Sequence, residues 1–246
     1  MKIVRAIGRV AGSVTLLARR IGADQKRIWE FPVTAARGEA WKPALGVLGV
    51  TAALIALDPL DTPCLQRAGY QATPAIRRMN GVLSAGNMAR VIWTVPLVFY
   101  FGGFLLRNSY AWRTGLLALE AAGDAQVIAI TMKHVDRRMR PIEVGCDGDF
   151  TRTWFGTKIF KLDGAGCFPS GHTASAFAVA TVFAERYPKF ARAAYGAAGL
   201  IGASRISTRA HFPSDVFFGA ALGYSISHFV VMDRVVTPGG HVTTGG

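Results

Sequence analysis

Apolar stretches and charge-bearing connectors alternate along the whole chain, and their lengths set the architecture. Residues 1–22 place Ile3, Val4, Ile7, Val10, Val14, Leu17 and Ile21 at helical spacing, interleaved with Lys2, Arg5, Arg9, Arg19 and Arg20. This pattern predicts a basic amphipathic helix lying on a membrane surface. A signal peptide fits less well, because the apolar part is short and broken by Gly12, Ser13 and Thr15. After a polar connector marked by Trp29 and Trp41 come six apolar segments, at residues 43–57, 91–106, 115–132, 173–183, 191–203 and 216–232. The first is short for a span of about 20 residues, so it is expected to borrow Trp41 or Leu60. Residues 59–86 and 134–168 read as polar loops.

The expected fold is all-α, a six-transmembrane-helix bundle with an N-terminal amphipathic surface helix. Residues 1–42 form the basic N-terminal segment, 43–232 the membrane domain, and 233–246 a tail without periodicity, read as disordered. Ala194, Gly196, Gly199 and Gly202 predict close packing along the fifth segment. Glu120 and Asp124 share one face of the third and are expected to hydrogen-bond inside the bundle rather than to do chemistry.

Composition agrees with a membrane protein: 51% of residues are apolar and only 17% charged. The net charge of +13 raises nucleic acid as a partner. The basic residues, however, fall between apolar segments rather than on one periodic face, so nucleic acid is excluded and anionic lipid headgroups are the expected partner. Cys64, Cys146 and Cys167 show no metal-type spacing. Cys146 and Cys167 share the long loop, where a disulfide in an oxidising compartment and two free thiols are both open readings.

The chemistry concentrates in residues 204–215, SRISTRAHFPSD. His211 is followed four residues later by Asp215, one turn away if the stretch is helical. The carboxylate can then hold one ring nitrogen as N–H and leave the other as a base or nucleophile. Arg205 offers a planar fork suited to phosphate oxygens, with Ser204 a weaker donor beside it. Pro169-Ser170-Gly171-His172 opens an apolar helix, whose free N–H groups make an anion site beside a second histidine. Lys133 is followed after six residues by Arg140-Pro141.

The order K-x6-RP, PSGH, SR-x5-H-x3-D resembles the type 2 phosphatidic acid phosphatase superfamily, which also holds the vanadium haloperoxidases. Every defining position is matched, and the resemblance covers roughly residues 88–232. It implies that His211 attacks phosphorus to give a phosphohistidine, that Asp215 fixes its tautomer, and that His172 protonates the departing alkoxide. It assigns Lys133, Arg140, Ser170, Gly171 and Arg205 to the phosphate, with no cofactor and no metal. The implied substrate is a lipid phosphomonoester or diphosphate, of the phosphatidic acid, phosphatidylglycerophosphate, undecaprenyl diphosphate or lipid A type. A lipid phosphotransferase using the same site, a haloperoxidase-like protein and a non-catalytic lipid-binding protein are the alternatives. Arg137, Arg138 and Arg209 match no motif position and read as headgroup or surface charges; His134, His228 and His241 receive no role.

Six spans place both termini on one membrane face and all three motifs on the other. Fifteen basic residues fall on the terminal side and thirteen on the motif side. Three of the thirteen, Lys133, Arg140 and Arg205, are accounted for by phosphate. The positive-inside rule then predicts cytoplasmic termini and a site facing the periplasm of a bacterial inner membrane.

Overall fold

The computed structural model describes residues 2–36, 41–70, 73–145, 148–157 and 166–232. Among these residues there is no strand, and nine α-helices follow one another: α1 (Lys2–Ala36), α2 (Trp41–Tyr70), α3 (Pro74–Val82), α4 (Ala85–Leu105), α5 (Ser109–Asp136), α6 (Pro141–Val144), α7 (Gly171–Arg186), α8 (Ala191–Ser207) and α9 (Pro213–Ile226). A π-helical turn, Ser227–Met232, prolongs α9. Local chemistry explains the starts. Thr73 accepts the Ile76 N–H ahead of Pro74, and the Asn108 side chain accepts the Ala111 N–H. Helix α5 stops at Arg137, which adopts a left-handed conformation (φ 46°) and turns the chain back under the helix end.

Four stretches are long and apolar enough to cross a membrane: Trp41–Pro63, Ala85–Leu105, Ser109–Val144 and Pro213–Met232. The chain is an integral membrane protein. The first span takes in both Trp41 and Leu60, as its short apolar core requires. Helices α7 and α8 have 16 and 17 residues, about 24–26 Å at 1.5 Å per residue. Helix α7 occupies the middle, packed against α4, α5, α8 and α9. Its buried positions are small: Ala174, Ala176, Ala178 and Ala180 share one buried cluster with Ala118, Ala121, Ala122 and Ala125 of α5. Small residues let backbones approach where lipid, not water, surrounds the bundle.

Several readings change. Residues 59–86 are largely helical: α2 continues through Pro59 and Pro63 to Tyr70, and α3 follows. The stretch after Arg20 is no connector either, because α1 is one helix to Ala36. Its middle packs on α5, where Arg20 pairs with Glu120 at 3.3 Å and Gln25 donates to Asp124 at 2.9 Å. Glu120 and Asp124 thus hydrogen-bond inside the bundle, with α1 as partner. The expected small-residue seam on α8 is only partly there: beside Gly196 and Gly199 lies open space, while Ala194 packs on the central core and Gly202 meets Val216 and Thr173. The close approach is made by α9 instead. A Cβ on Gly223 would lie 2.0 Å from the Ala174 carbonyl oxygen, and one on Gly219 would lie 2.7 Å from that of Ser170. The tail beyond Met232 lies outside the described residues.

Gly223→Ala therefore forces two backbones apart and is expected to cost about 2 kcal/mol or more. Gly199→Ala meets nothing and is expected to be neutral or stabilising by up to about 1 kcal/mol. Thermal unfolding of the two variants in the same detergent separates them; equal midpoints would contradict the packing described.

Candidate active site

The turn between α8 and α9 builds the centre of the site. The Arg205 carbonyl at the end of α8 accepts the backbone N–H groups of Ala210 (3.0 Å) and His211 (3.2 Å), which fixes the histidine backbone. Helix α9 then starts at Pro213, and Asp215 in its first turn accepts the Phe212 N–H at 2.8 Å. His211 and Asp215 are therefore not two residues of one helix. The histidine precedes the cap, and the carboxylate that closes the cap faces it, Nδ1 to Oδ2 3.5 Å. That is long for a hydrogen bond, and Nδ1 makes none; such contacts tighten when substrate binds. Burial pushes the His211 pKa down to about 4, against the pull of Asp215. The imidazole is neutral at physiological pH and keeps a lone pair, as a nitrogen nucleophile must.

Beneath this pair lies a residue that sequence reasoning misplaced. Arg138 is no surface charge; it is almost fully buried. Its Nη1 donates to Asp215 Oδ1 at 2.7 Å and to Ser214 Oγ at 2.8 Å, and its Nη2 donates to Asp58 Oδ2 at 2.6 Å. Its Nε reaches Thr153 Oγ1 at 3.3 Å, and the guanidinium lies 3.9 Å from the Phe212 ring centre and 4.6 Å from that of Trp154. Asp58, the apparent end of an apolar run, is buried within α2 and accepts from Ser214 Oγ at 2.5 Å. The one available signal was that RRMRP holds three arginines where the motif uses one. Arg137 and Arg209 stay partly exposed, Arg137 5.8 Å from the Phe155 ring.

The remaining motif residues converge from other helix ends. Lys133, buried in the last turn of α5, and Arg140, at the start of α6, both place positive charge on His172 and His211; Arg205 adds its own at His172. Ser170 precedes α7, and its N–H donates to the Asp215 carbonyl at 3.0 Å, locking the PSGH turn to the first turn of α9. Its hydroxyl pairs with Thr173 Oγ1 at 2.8 Å, while Gly171 holds the first helical position, where N–H groups have no intrahelical partner. The α3–α4 corner closes the ring. The Ala85 carbonyl accepts from His172 Nε2 at 3.1 Å, and the Leu83 carbonyl accepts from Arg205 Nη2. Ser204 holds Arg205, accepting from its Nε at 3.2 Å and Nη2 at 3.1 Å.

Two further features adjoin the site. An apolar groove of about 370 Å³ runs between α4, α7 and α8. It starts at Ala176 and Ile201, one turn from His172 and Arg205, has a floor of alanines including Ala194 and Ala197, and ends at Phe99, Phe183, Tyr187 and Phe190. The second is Cys167, a buried free thiol. Its Sγ donates to the Met139 carbonyl at 3.1 Å, so it forms no disulfide; Cys146 lies outside the described residues. The metal-ligating atoms of Cys167, His211 and Asp215 lie within 4.8 Å of one another, a donor set that spacing did not reveal. The carboxylate is already committed to Arg138 and the Phe212 N–H, and the thiol to Met139.

A neutral, buried His211 and a second histidine beneath converging positive charge, at helix ends in an apolar bundle, make this rim of the membrane protein a candidate anion site. The chain belongs to the PAP2 superfamily: residues 114–235 match it, and they include all three motifs. It is 34% identical over 196 residues to a lipid A 1-phosphatase from Rhizobium etli, covering 74% of this chain and 80% of the relative. A lipid A 1-phosphatase from Rhizobium johnstonii is 27% identical over 231 residues, 88% of this chain and 91% of the relative. A third, from Porphyromonas gingivalis, is 44% identical over 80 residues, 28% of this chain and only 18% of that protein's length. The fold resembles the crystal structure of a transmembrane PAP2-type phosphatidylglycerolphosphate phosphatase from Bacillus subtilis, with a TM-score of 0.52 at 20% identity, covering 76% of this chain and 92% of the other.

Burial pushes the Cys167 thiol well above the ordinary thiol range, which keeps it protonated and unreactive. In folded, detergent-solubilised protein Cys167 is expected to resist maleimide, and after denaturation without reductant to react fully. Mass spectrometry of the labelled peptide checks both; a requirement for reductant would mean a disulfide.

Proposed function

We propose that the protein is a membrane lipid phosphatase that hydrolyses a lipid phosphate through a phosphohistidine at His211. The observation that carries this reading is the neutral, buried His211 facing the Asp215 carboxylate at 3.5 Å beneath the charges of Lys133 and Arg140. A phosphate dianion held by Lys133, Arg140 and Arg205, with hydrogen bonds from Ser170 and the Gly171 N–H, is neutralised before attack. The lone pair on His211 Nε2 displaces the lipid oxygen in line, and Asp215 balances the imidazolium that results. His172, held at α4 by the Ala85 carbonyl, takes up a proton as the phosphate dianion binds beside it, gives that proton to the leaving oxygen and then takes one from the water that frees the phosphate. Three cations supply the charge neutralisation a metal would otherwise provide.

The lipid is proposed to be a glycolipid of the lipid A type, phosphorylated at position 1, because two relatives aligned over 80% and 91% of their own lengths carry that activity in their names. One acyl chain is proposed to lie in the groove between α4, α7 and α8, about 16 Å long by the rise from Ala176 to Tyr187. Helices α7 and α8 complete six spans in this reading. The site faces the periplasm: with Arg138 committed to Asp58 and Asp215, and Lys133, Arg140 and Arg205 to phosphate, nine uncommitted basic residues remain on the motif side against fifteen on the terminal side.

Phosphate release from lipid A, phosphatidic acid, phosphatidylglycerophosphate and an isoprenyl diphosphate, in detergent with excess EDTA, tests the reaction and the substrate together. Lipid A is expected to lead, orthovanadate to inhibit, and His211→Ala to lower turnover by about 10⁴-fold or more. Normal turnover in His211→Ala, or a strict magnesium requirement, would sink the mechanism.

Ala197→Phe fills the middle of the groove without touching the cations. Its KM for a long-chain substrate is expected to rise about tenfold or more, the weight of one or two buried methylenes and upward. Hydrolysis of a short-chain, water-soluble phosphate is expected to be unchanged. Equal losses on both substrates would place the tail elsewhere.

A further inference from the structure

We infer that Asp58 and Arg138, which lie outside the three motifs, are positioning residues of the reaction: together they orient the Asp215 carboxylate and maintain net negative charge behind His211. The inference rests on the proposed histidine chemistry and adds to it a part for helix α2.

The geometry divides the work of Asp215 between its two oxygens. Oδ1 takes the Arg138 Nη1 bond at 2.7 Å; Oδ2 takes the Phe212 N–H at 2.8 Å and faces His211 Nδ1 at 3.5 Å. The carboxylate is fixed in plane by donors on both sides, so Oδ2 is aimed at the imidazole before substrate arrives. Orientation by a fixed partner is what an orienting carboxylate needs from its surroundings.

Charge balance explains why a second carboxylate is present. An arginine paired with Asp215 alone would cancel the charge that is meant to stabilise the His211 imidazolium. Asp58, on the far side of the guanidinium at 2.6 Å, offsets Arg138 and leaves Asp215 the net negative charge. Ser214 joins the three: it accepts from Arg138 Nη1, donates to Asp58 Oδ2, and its backbone N–H lies 3.4 Å from Asp58 Oδ1. Asp58, Arg138, Ser214 and Asp215 are each no more than 1% exposed, so water does not compete for these bonds. Asp58 comes from α2, whose other side chains mostly face outward, with Leu57 and Leu60 48% and 72% exposed. The network thus ties an otherwise lipid-facing helix to the nucleophile.

Asp58→Asn keeps size and most hydrogen bonding but removes the charge. Wild type, Asp58→Asn, Arg138→Lys, the double variant and a control, Asp61→Asn, one turn further along α2, are compared on the preferred lipid phosphate. The readouts are kcat, KM and the number of vanadate-binding sites per folded protein. Asp58→Asn and Arg138→Lys are each expected to lower kcat per site by roughly ten- to a hundredfold, as outer-shell partners do. KM and vanadate affinity are expected to hold within about threefold, because Lys133, Arg140 and Arg205 still hold the phosphate. The double variant is expected to be no worse than the poorer single, since the pair acts as a unit, and Asp61→Asn to match wild type. Wild-type kcat per site in Asp58→Asn overturns the inference, and so does a loss of sites with the survivors turning over normally, which marks a structural anchor only. If Asp58→Asn does not accumulate as folded protein, Arg138→Lys supplies the same readouts with the same two overturning results. A wild type that releases no phosphate from any lipid overturns the proposed reaction and this inference with it; a normal wild type beside an unaffected Asp58→Asn overturns the inference alone.

Discussion

A guanidinium buried among helices of a membrane bundle is the constraint on which the site depends. Removing Arg138 from water costs several kcal/mol even after relaxation, and only near-complete pairing offsets that cost. The chain answers with two carboxylates, two hydroxyls and two aromatic faces, gathered from α2, the long loop and the start of α9. Asp58 and Asp215 lie 80 and 77 residues from Arg138 in sequence, so the ion pairs couple segments that nothing local holds together. Loss of Arg138 would leave two buried carboxylates without their counter-ion, so the three elements depend on it together.

Backbone proximity does the rest. The α7 and α9 axes approach until Gly223 and Gly219 touch carbonyls of α7 and its cap, and this contact brings the Ser170 N–H to the Asp215 carbonyl. The turn proposed to offer helix N–H groups to an anion is thereby bonded to Asp215, the residue proposed to orient the histidine. Lys133 is buried in the last turn of α5, the helix that carries part of the alanine core. Every group assigned to phosphate sits at or near a helix end, where the polar backbone also needs partners, so a polar site there interrupts no span.

The motif residues were legible because their chemistry is local. Histidine four residues before a carboxylate, a polar turn before an apolar helix, and cations seven apart each carry their meaning in spacing. Even so, the first of these works by a different route than a helical turn, since His211 precedes the α9 cap and Asp215 closes it. What was not legible depends on tertiary partners. Asp58-Pro59 read as the end of a span, because a carboxylate and a proline normally stop an apolar helix; a guanidinium 80 residues away keeps Asp58 inside, and α2 runs on. Arg138 looked like its neighbour Arg137 because composition does not say which way a side chain turns after a left-handed residue. Gly196 and Gly199 carried the small-residue signal, while the seam formed at Gly219 and Gly223, where the partner happened to be backbone.

Helix α7 connects the two ends of the proposed substrate. His172 opens it, and Ala176, Val179, Ala180 and Phe183 on the same helix wall the apolar groove. A chain seated against that wall sets the depth at which the phosphate meets Arg205 and the two histidines, because one rigid element carries both contacts. Binding free energy gained along the groove can then be used to hold the phosphate in line with His211, rather than only to retain the lipid. In such an arrangement, shortening the tail lowers kcat as well as affinity. In this proposal the same coupling would let an anion site that accepts any phosphate by charge alone select among lipids, because the discriminating contacts would lie on the helix that also carries the proposed acid.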